Sequence, residues 1–95
     1  MNAQAPSKDA TAGFVGQIPA VEPLLTEVIA TLALAAHAYL SDAEGQVDLP
    51  SAEIAIDVAG ATFERVKERL RPDERLAITQ MLTECRMTFV RKRGL

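Results

Sequence analysis

The chain has very few of the side chains from which enzymes and metal sites are built. Its 95 residues include one histidine, one cysteine and no tryptophan, and they contain no glycine-rich phosphate loop. A metal site needs several converging ligands, and a general base needs a group that orients it. A single cysteine excludes an internal disulfide, which favours a reducing compartment. We therefore expect no cofactor, no bound metal and no enzymatic activity.

Long uninterrupted apolar runs are also missing. The N-terminus lacks the basic region and following apolar run that mark a signal peptide. The most apolar stretch, residues 24–40, is 17 residues long and is interrupted by Thr26, Glu27, Thr31 and His37. A helix that spans a membrane needs about 20 mostly apolar residues. We predict a cytoplasmic protein without a membrane span, in which this stretch forms a buried helix.

Charge is distributed unevenly along the chain. The net charge is −3, but residues 1–64 hold nine acidic and one basic side chain, whereas residues 65–95 hold nine basic and four acidic ones. Such segregation can steer a charged partner or join two copies head to tail. The alternative is that the acidic and basic halves face each other inside the fold.

The strongest positive pattern is a helical stripe in residues 49–70. Apolar residues recur there at alternating spacings of three and four, at Leu49, Ala52, Ile56, Ala59, Phe63, Val66 and Leu70. This period is typical of a helix that packs lengthwise against other helices. Asp48 directly precedes the stripe and is a good N-cap residue. We predict a helix over residues 49–70.

Two further helices are predicted, over residues 22–40 and 72–92. Pro23 and Pro72 fall in their first turns, where the missing N–H group has no helical partner to lose. The first of these helices is apolar around most of its circumference, so it is either the central helix or the contact surface of a homodimer. No segment alternates like a strand. We therefore predict an all-α three-helix bundle over residues 21–93, preceded by a disordered tail over residues 1–20.

The same periodicity predicts which side chains form the core. Residues predicted to be buried together are Ile56, Phe63, Val66, Leu82, Cys85 and Phe89. The inner face of the third helix is predicted to be broadened by Leu76, Met81, Met87 and Val90. The first helix is predicted to contribute Leu25, Ile29, Leu32, Ala36 and Tyr39 or Leu40.

Three isolated features have a structural and a functional interpretation. His37 lacks neighbouring ligands, and Cys85 follows the core period, so we interpret both as structural rather than chemical residues. In the tail, Phe14, Val15 and Ile18 form a short apolar island. This island is either a linear motif that orders on a partner or an arm that packs on the bundle.

Two groups of charged residues are candidates for positioning or binding. If the second and third helices are antiparallel, Asp57 and Arg86 lie at a similar distance from the turn at residues 71–73. An ion pair between them would fix the register of the two helices. Arg91, Lys92 and Arg93 suit a helix C-terminus, and they could steer an acidic partner or contact phosphates.

A set of short motifs resembles a family of small bacterial helical proteins classed as a domain of unknown function. The matching residues are Asp48-Leu49, Ala52, Ile56-Asp57, Gly60, Asp73-Glu74 and Arg86-Met87-x-Phe89-Val90. The similarity covers residues 24–90, and the closing Arg-Met-x-aromatic-Val run is its most specific part. Thr83, Cys85 and Arg71 depart from the pattern of the family, and none of the three departures affects a chemical group.

Within this family, the chain is most similar to polarity proteins of gliding bacteria. That resemblance implies an adaptor that binds a Ras-like small GTPase and a polarity scaffold, and that promotes nucleotide exchange. The composition alone predicts a protein–protein interaction module. The alternatives are a nucleic-acid-binding accessory protein that uses the basic C-terminal helix, and a small enzyme. The pI near 5.0 and the lack of aromatic residues interleaved with the basic run disfavour the nucleic-acid alternative.

Overall fold

Three α-helices joined by short connections make up the computed structural model, which describes residues 18–41 and 46–94. They are α1 (Val21–Leu40), α2 (Leu49–Val66) and α3 (Pro72–Arg93), and the described part of the chain contains no strand. The predicted all-α bundle is therefore confirmed. α2 runs back along α1, and α3 reverses direction again, so that α1 and α3 are parallel. The predicted tail lies outside the described residues, except for residues 18–20.

Local side-chain contacts explain where α2 and α3 begin. The Asp48 carboxylate accepts a hydrogen bond from the Ser51 N–H at 3.1 Å, which confirms the predicted cap. At the start of α3, the Glu74 carboxylate accepts a bond from the Arg71 N–H at 3.0 Å. The Arg71 side chain also pairs with Asp73 at 3.2 Å, and this contact lowers the pKa of the Asp73 carboxyl. These contacts replace the Ser or Thr cap that α3 lacks.

The C-terminus of α2 differs from the prediction. The helix ends at Val66 instead of Leu70, and a 3-10 turn follows over Lys67–Arg69. Leu70 has extended backbone angles and is buried, with 6% of its surface exposed. The tighter turn brings Leu70 into the core, and Pro72 then holds Arg71 in an extended conformation. The apolar spacing therefore extends beyond the end of α2, because Leu70 packs in the core although it belongs to the connection between α2 and α3.

The core consists of two clusters, where the sequence predicted one. Every member of the α2 stripe is buried except Leu49, which is half-buried. Residues at the α1 N-terminal end of the bundle form one cluster: Ile29, Ala59, Phe63, Val66, Leu70, Ile78 and Leu82. Residues at the opposite end form the other: Ala33, Ala36, Leu40, Ala52, Ala55, Ile56 and Cys85. The residues predicted to be buried together are therefore divided: Phe63, Val66 and Leu82 lie in the first cluster, and Ile56 and Cys85 in the second.

Several predicted core residues lie at the surface. Phe89 is only partly buried at the edge of the second cluster. Leu76, Met87 and Val90 are exposed because the apolar residues of α3 extend around more of the helix than the part that packs in the bundle. In α1, the prediction of Tyr39 or Leu40 is met by Leu40, which is buried, whereas Tyr39 is 39% exposed, and Ala33 also takes a core position. Small alanine side chains let α1 and α2 approach closely, so the larger residues beside them remain outside.

α1 is more apolar than its position in the bundle requires. An 18-residue window of α1 has a mean hydropathy of 1.4, and 22% of that window is buried, so by length and composition the helix could also cross a membrane. The core helix of a soluble bundle meets the same criteria, but such a helix is mostly buried. Because only Ile29, Ala33, Ala36 and Leu40 of α1 are buried, the prediction of a buried helix is wrong. The absence of a membrane span and the cytoplasmic location therefore remain predictions.

Candidate interaction groove

A shallow groove of about 120 Å³ separates α2 from α3. We call it the α2–α3 groove, and its lining residues are Glu53, Ile56, Asp57, Arg86, Phe89 and Val90. The floor is apolar, whereas the charged side chains are exposed at the rims. The rim on α2, Glu53 and Asp57, is the acidic wall. An apolar floor between polar rims is the usual composition of a protein-binding surface.

The absence of a side chain at Gly60 positions Arg86 within this groove. A Cβ atom built on Gly60 would lie 2.5 Å from Arg86 Nη2, so the guanidinium occupies space that any other residue would fill. Gly60 lies in the middle of α2 and is buried, where glycine is otherwise unfavourable for the helix. The glycine therefore allows the close approach of a cation from α3 to the backbone of α2.

The groove continues onto the outer face of α3 as a broader cleft of about 420 Å³. This second part is lined by Thr83, Arg86, Met87, Val90 and Arg91. Met87 and Val90 are 57% and 51% exposed, so roughly half of each side chain is open to a partner. Arg86 and Arg91 also line this cleft, but the Arg86 guanidinium lies against α2 at Gly60, on the same side of Met87 and Val90 as the acidic wall.

The basic end of α3 is held partly by contacts within the helix. Arg91 donates a hydrogen bond to Thr88 Oγ1 at 3.3 Å. The Arg93 guanidinium lies 5.6 Å from the centre of the Phe89 ring, within cation–π range. Arg91, Lys92 and Arg93 all lie in the last turn of α3, where positive charge complements the helix dipole. Their role in steering a partner remains a prediction.

The structure brings Asp57 and Arg86 together in the α2–α3 groove, but it does not pair them. Within residues 18–41 and 46–94, the ion pairs do not include one between these two side chains. Both groups are exposed, and the guanidinium is placed over Gly60, one helical turn beyond Asp57. The predicted antiparallel packing brings the two residues onto one groove, and the glycine determines where Arg86 lies.

A contact that the sequence did not predict joins α1 to α3. The Cys85 sulfur lies 3.6 Å from His37 Nε2 and 3.8 Å from the Ala33 carbonyl oxygen. Because α1 and α3 are parallel, residues at similar distances from their starts meet, and this relationship could have suggested the pair. Cys85 is fully buried, and burial and the Glu84 charge raise the pKa of its thiol, although Arg86 lowers it. A neutral buried thiol is a poor nucleophile, which supports the structural interpretation.

A second apolar surface lies between α1 and α2, on the side away from α3. Its shallow cleft of about 200 Å³ is lined by Leu32, Ala35, Tyr39, Ser51, Ile54 and Ala55. Ile54 is 64% exposed there. A homodimer through α1, the alternative drawn from the sequence, would use this face, and it remains a prediction. Of the proposed linear motif, Ile18 is exposed, whereas Phe14 and Val15 lie outside the described residues.

Two of the motifs that carry the family resemblance converge on the α2–α3 groove. Ile56, Asp57 and Gly60 form its α2 side, and Arg86, Phe89 and Val90 form its α3 side. Comparisons with protein families, with curated proteins and with solved structures found no match. The resemblance therefore remains a prediction. In the described ranges, no group of three potential metal ligands occurs.

Proposed function

We propose that this chain is a non-enzymatic protein–protein interaction module whose binding surface is the α2–α3 groove. One observation carries the proposal: the Ile-Asp-x-x-Gly segment of α2 and the Arg-Met-x-Phe-Val segment of α3 come together around the Arg86 guanidinium. These segments are 29 residues apart between Asp57 and Arg86. The fold is therefore what assembles them into one surface.

The composition of the groove suits a protein partner. Binding energy at interfaces comes mainly from a few desolvated apolar or arginine anchors near the centre. Met87 and Val90 supply exposed apolar area, and Arg86 supplies a planar cation that is already held against α2. The peripheral cations Arg91, Lys92 and Arg93 would mainly raise the association rate, because charges at a rim act over long range.

The family resemblance supplies the class of partner in this proposal. It implies a Ras-like small GTPase together with a polarity scaffold, and an adaptor that promotes nucleotide exchange. An adaptor changes the nucleotide state of a GTPase only if it binds one state more tightly than the other. A preference for one nucleotide form is therefore the property that separates exchange promotion from simple recruitment.

A pull-down with matched variants tests the use of the groove. The wild-type chain, Met87→Glu and Leu76→Glu are immobilised, and the proteins recovered from lysate of the source organism are identified by mass. Leu76 is a suitable control because it is an apolar residue of α3, 60% exposed, about three turns away from Met87. A partner that is lost with Met87→Glu and retained with Leu76→Glu supports the proposal. Equal recovery by all three chains contradicts it.

A second experiment tests the partner class. The recovered protein is loaded with a fluorescent GDP analogue, and the release of the analogue is followed with and without this chain. Faster release, or tighter binding to one nucleotide form, supports the exchange-promoting role. Equal binding to both forms with unchanged release excludes that role, whereas recovery of a protein without nucleotide contradicts the GTPase assignment itself.

A further inference from the structure

An uncovered apolar surface follows α1 and α2 on the side away from α3, and we call it the α1–α2 face. The cleft between Ala35, Tyr39 and Ile54 lies within this face. The helical period continues the face along both helices, because residues three or four positions apart share one side. Its large apolar side chains are each 38–64% exposed: Val21, Leu24, Val28, Tyr39, Ile54 and Val58. The face therefore extends over the whole length of α1.

The α1–α2 face is large enough for an interface of ordinary size. α1 has 20 residues and α2 has 18, so the two helices are about 27–30 Å long, and each is about 10 Å wide. The exposed parts of the six large side chains amount to roughly 500 Å², near the upper limit of the apolar patches on monomeric proteins. A stable complex takes about 800 Å² from each partner. The apolar patch and its borders together offer an area of this order.

The two ends of this face carry opposite charges. Asp48 lies at one end, where its N–H group donates a hydrogen bond to the Tyr39 carbonyl oxygen at 2.8 Å. Arg65 lies at the other end, one turn before Arg69, which pairs with Glu22 at 2.7 Å. Asp48 and Arg65 are both exposed. The large apolar side chains lie between these two charges.

A twofold axis can relate two such faces in two orientations. In either dimer, each copy contributes the same face. If the axis runs along the helices, equal ends meet, so that Arg65 lies near Arg65 and Asp48 near Asp48. If the axis runs across the helices, α2 packs antiparallel on α2 of the other copy. Arg65 of each copy then lies at the end where Asp48 of the other copy lies, so only this orientation brings opposite charges together.

We propose that a second copy of this chain covers the α1–α2 face, in a twofold dimer whose axis runs across the helices. The charges at the ends select this orientation, because juxtaposed like charges are unfavourable and opposite charges align two surfaces. The dimer also accounts for α1, a helix apolar enough to be central of which only 22% of an 18-residue window is buried in one chain. In the dimer, α1 and α2 of both copies form the centre, and each α3 lies outside.

The dimer goes beyond the proposed function, because it leaves the α2–α3 groove open. The groove lies on the side of α2 that faces α3, so each dimer presents two grooves. A partner that is itself a dimer, or that is held on a scaffold, would then bind more tightly through two contacts than through one. The dimer is measured on the purified chain alone. Its failure leaves the proposed partner site standing, and failure to find a partner leaves the dimer standing.

Matched glutamate variants test which face the second copy covers. Sedimentation velocity of the full chain from about 10 μM to 1 mM covers the affinities typical of small interfaces, and the wild-type chain should dimerise in this range. Ile54→Glu should raise the dimer dissociation constant at least about tenfold, because it places a charge in the apolar centre. Leu76→Glu and Met87→Glu, on α3, should leave it unchanged. All three side chains are 57–64% exposed, and thermal unfolding checks that each variant folds.

Arg65→Gln tests the direction of the axis. In the proposed orientation the substitution removes an attraction at both ends of the interface, so it should raise the dissociation constant about two- to tenfold. Added salt should likewise weaken the wild-type dimer. With the axis along the helices, Arg65→Gln removes a repulsion and lowers the dissociation constant, which contradicts the proposal.

Two further results overturn the proposal. One is a wild-type chain that is monomeric at 1 mM, which leaves the α1–α2 face to a lipid surface or to a different protein. The other is a dimer that Ile54→Glu leaves unchanged and Met87→Glu abolishes, because the copies then meet through the α2–α3 groove.

Discussion

The guanidinium of Arg86 occupies the space directly beside Gly60, where a Cβ atom would lie 2.5 Å from Nη2. This relationship links the middle of α2 to the second half of α3 through a charged group instead of an apolar contact. It also explains a glycine inside a helix, where alanine would be more favourable by about 0.5–1 kcal/mol.

Replacing Gly60 by alanine should stabilise the fold while displacing Arg86. The clash involves the far end of a flexible side chain, so the guanidinium can move away, and the helix gains about 0.5–1 kcal/mol from the better helix former. Urea unfolding measures the free energy change, and the side-chain Nε–H signal of Arg86 in NMR spectra reports the displacement. Ala61→Gly, at the exposed neighbouring position, is the reverse control and should destabilise by a similar amount. Destabilisation by Gly60→Ala would show that Arg86 is rigidly held.

A double-mutant cycle measures the energetic link between Asp57 and Arg86. The two exposed side chains line one groove without forming an ion pair, so we expect a coupling of no more than about 0.5 kcal/mol between Asp57→Ala and Arg86→Ala. The free energies of unfolding of the wild type, both single variants and the double variant provide the value. A coupling well above 1 kcal/mol would instead support the ion pair that the sequence predicts.

Phe63 tests the buried stripe of α2. It is 8% exposed within the first core cluster, and Phe63→Ala should lower the free energy of unfolding by about 3–5 kcal/mol. Such a loss is a large fraction of the stability of a small domain. Leu76→Ala, on the exposed face of α3, should change stability by less than about 0.5 kcal/mol. If the Phe63 variant melts within a degree or two of the wild type, the core assignment fails.

The buried thiol of Cys85 should make stability depend on alkaline pH. Burial raises the pKa of the folded thiol above its value in the unfolded chain, so the folded state retains this proton at higher pH. The contribution of the protonated thiol to the free energy of unfolding is complete below the ordinary thiol pKa of about 8.5. It is lost as pH rises through the pKa of the thiol in the folded state. The free energy of unfolding should therefore fall more steeply above pH 8.5 in the wild type than in Cys85→Ala. Parallel curves for the two chains would show that the thiol does not contribute.

The sequence predicted the helices well because their signals are local. The spacing of apolar residues in α2, the cap at Asp48 and the proline at position 72 each act within a few residues of the chain. The prediction was wrong at Leu70, because an apolar residue of the connection continues the helical period into the core. It was also wrong at Met87 and Val90, because the spacing of apolar residues alone cannot distinguish a core face from an apolar face that is exposed.

The candidate site was predictable only in part, because it depends on packing between helices. Antiparallel helices joined by a short turn bring Asp57 and Arg86 onto one groove, and the sequence allowed that inference. The place of the guanidinium depends on the missing side chain at Gly60, which becomes evident only when α3 is packed against α2. The Cys85–His37 contact likewise requires the parallel alignment of α1 and α3.

The most direct test of the central claim is an amide chemical-shift map of the isotope-labelled chain bound to the protein recovered in the pull-down. If the α2–α3 groove is the binding surface, the largest changes should fall at residues 53, 56, 57, 60 and 83–91, with α1 and Ile54 little affected. The Met87→Glu chain should show no such changes under the same conditions, and the Leu76→Glu chain should reproduce the wild-type map. Changes confined to α1 and the surroundings of Ile54, with the groove unaffected, would contradict the account.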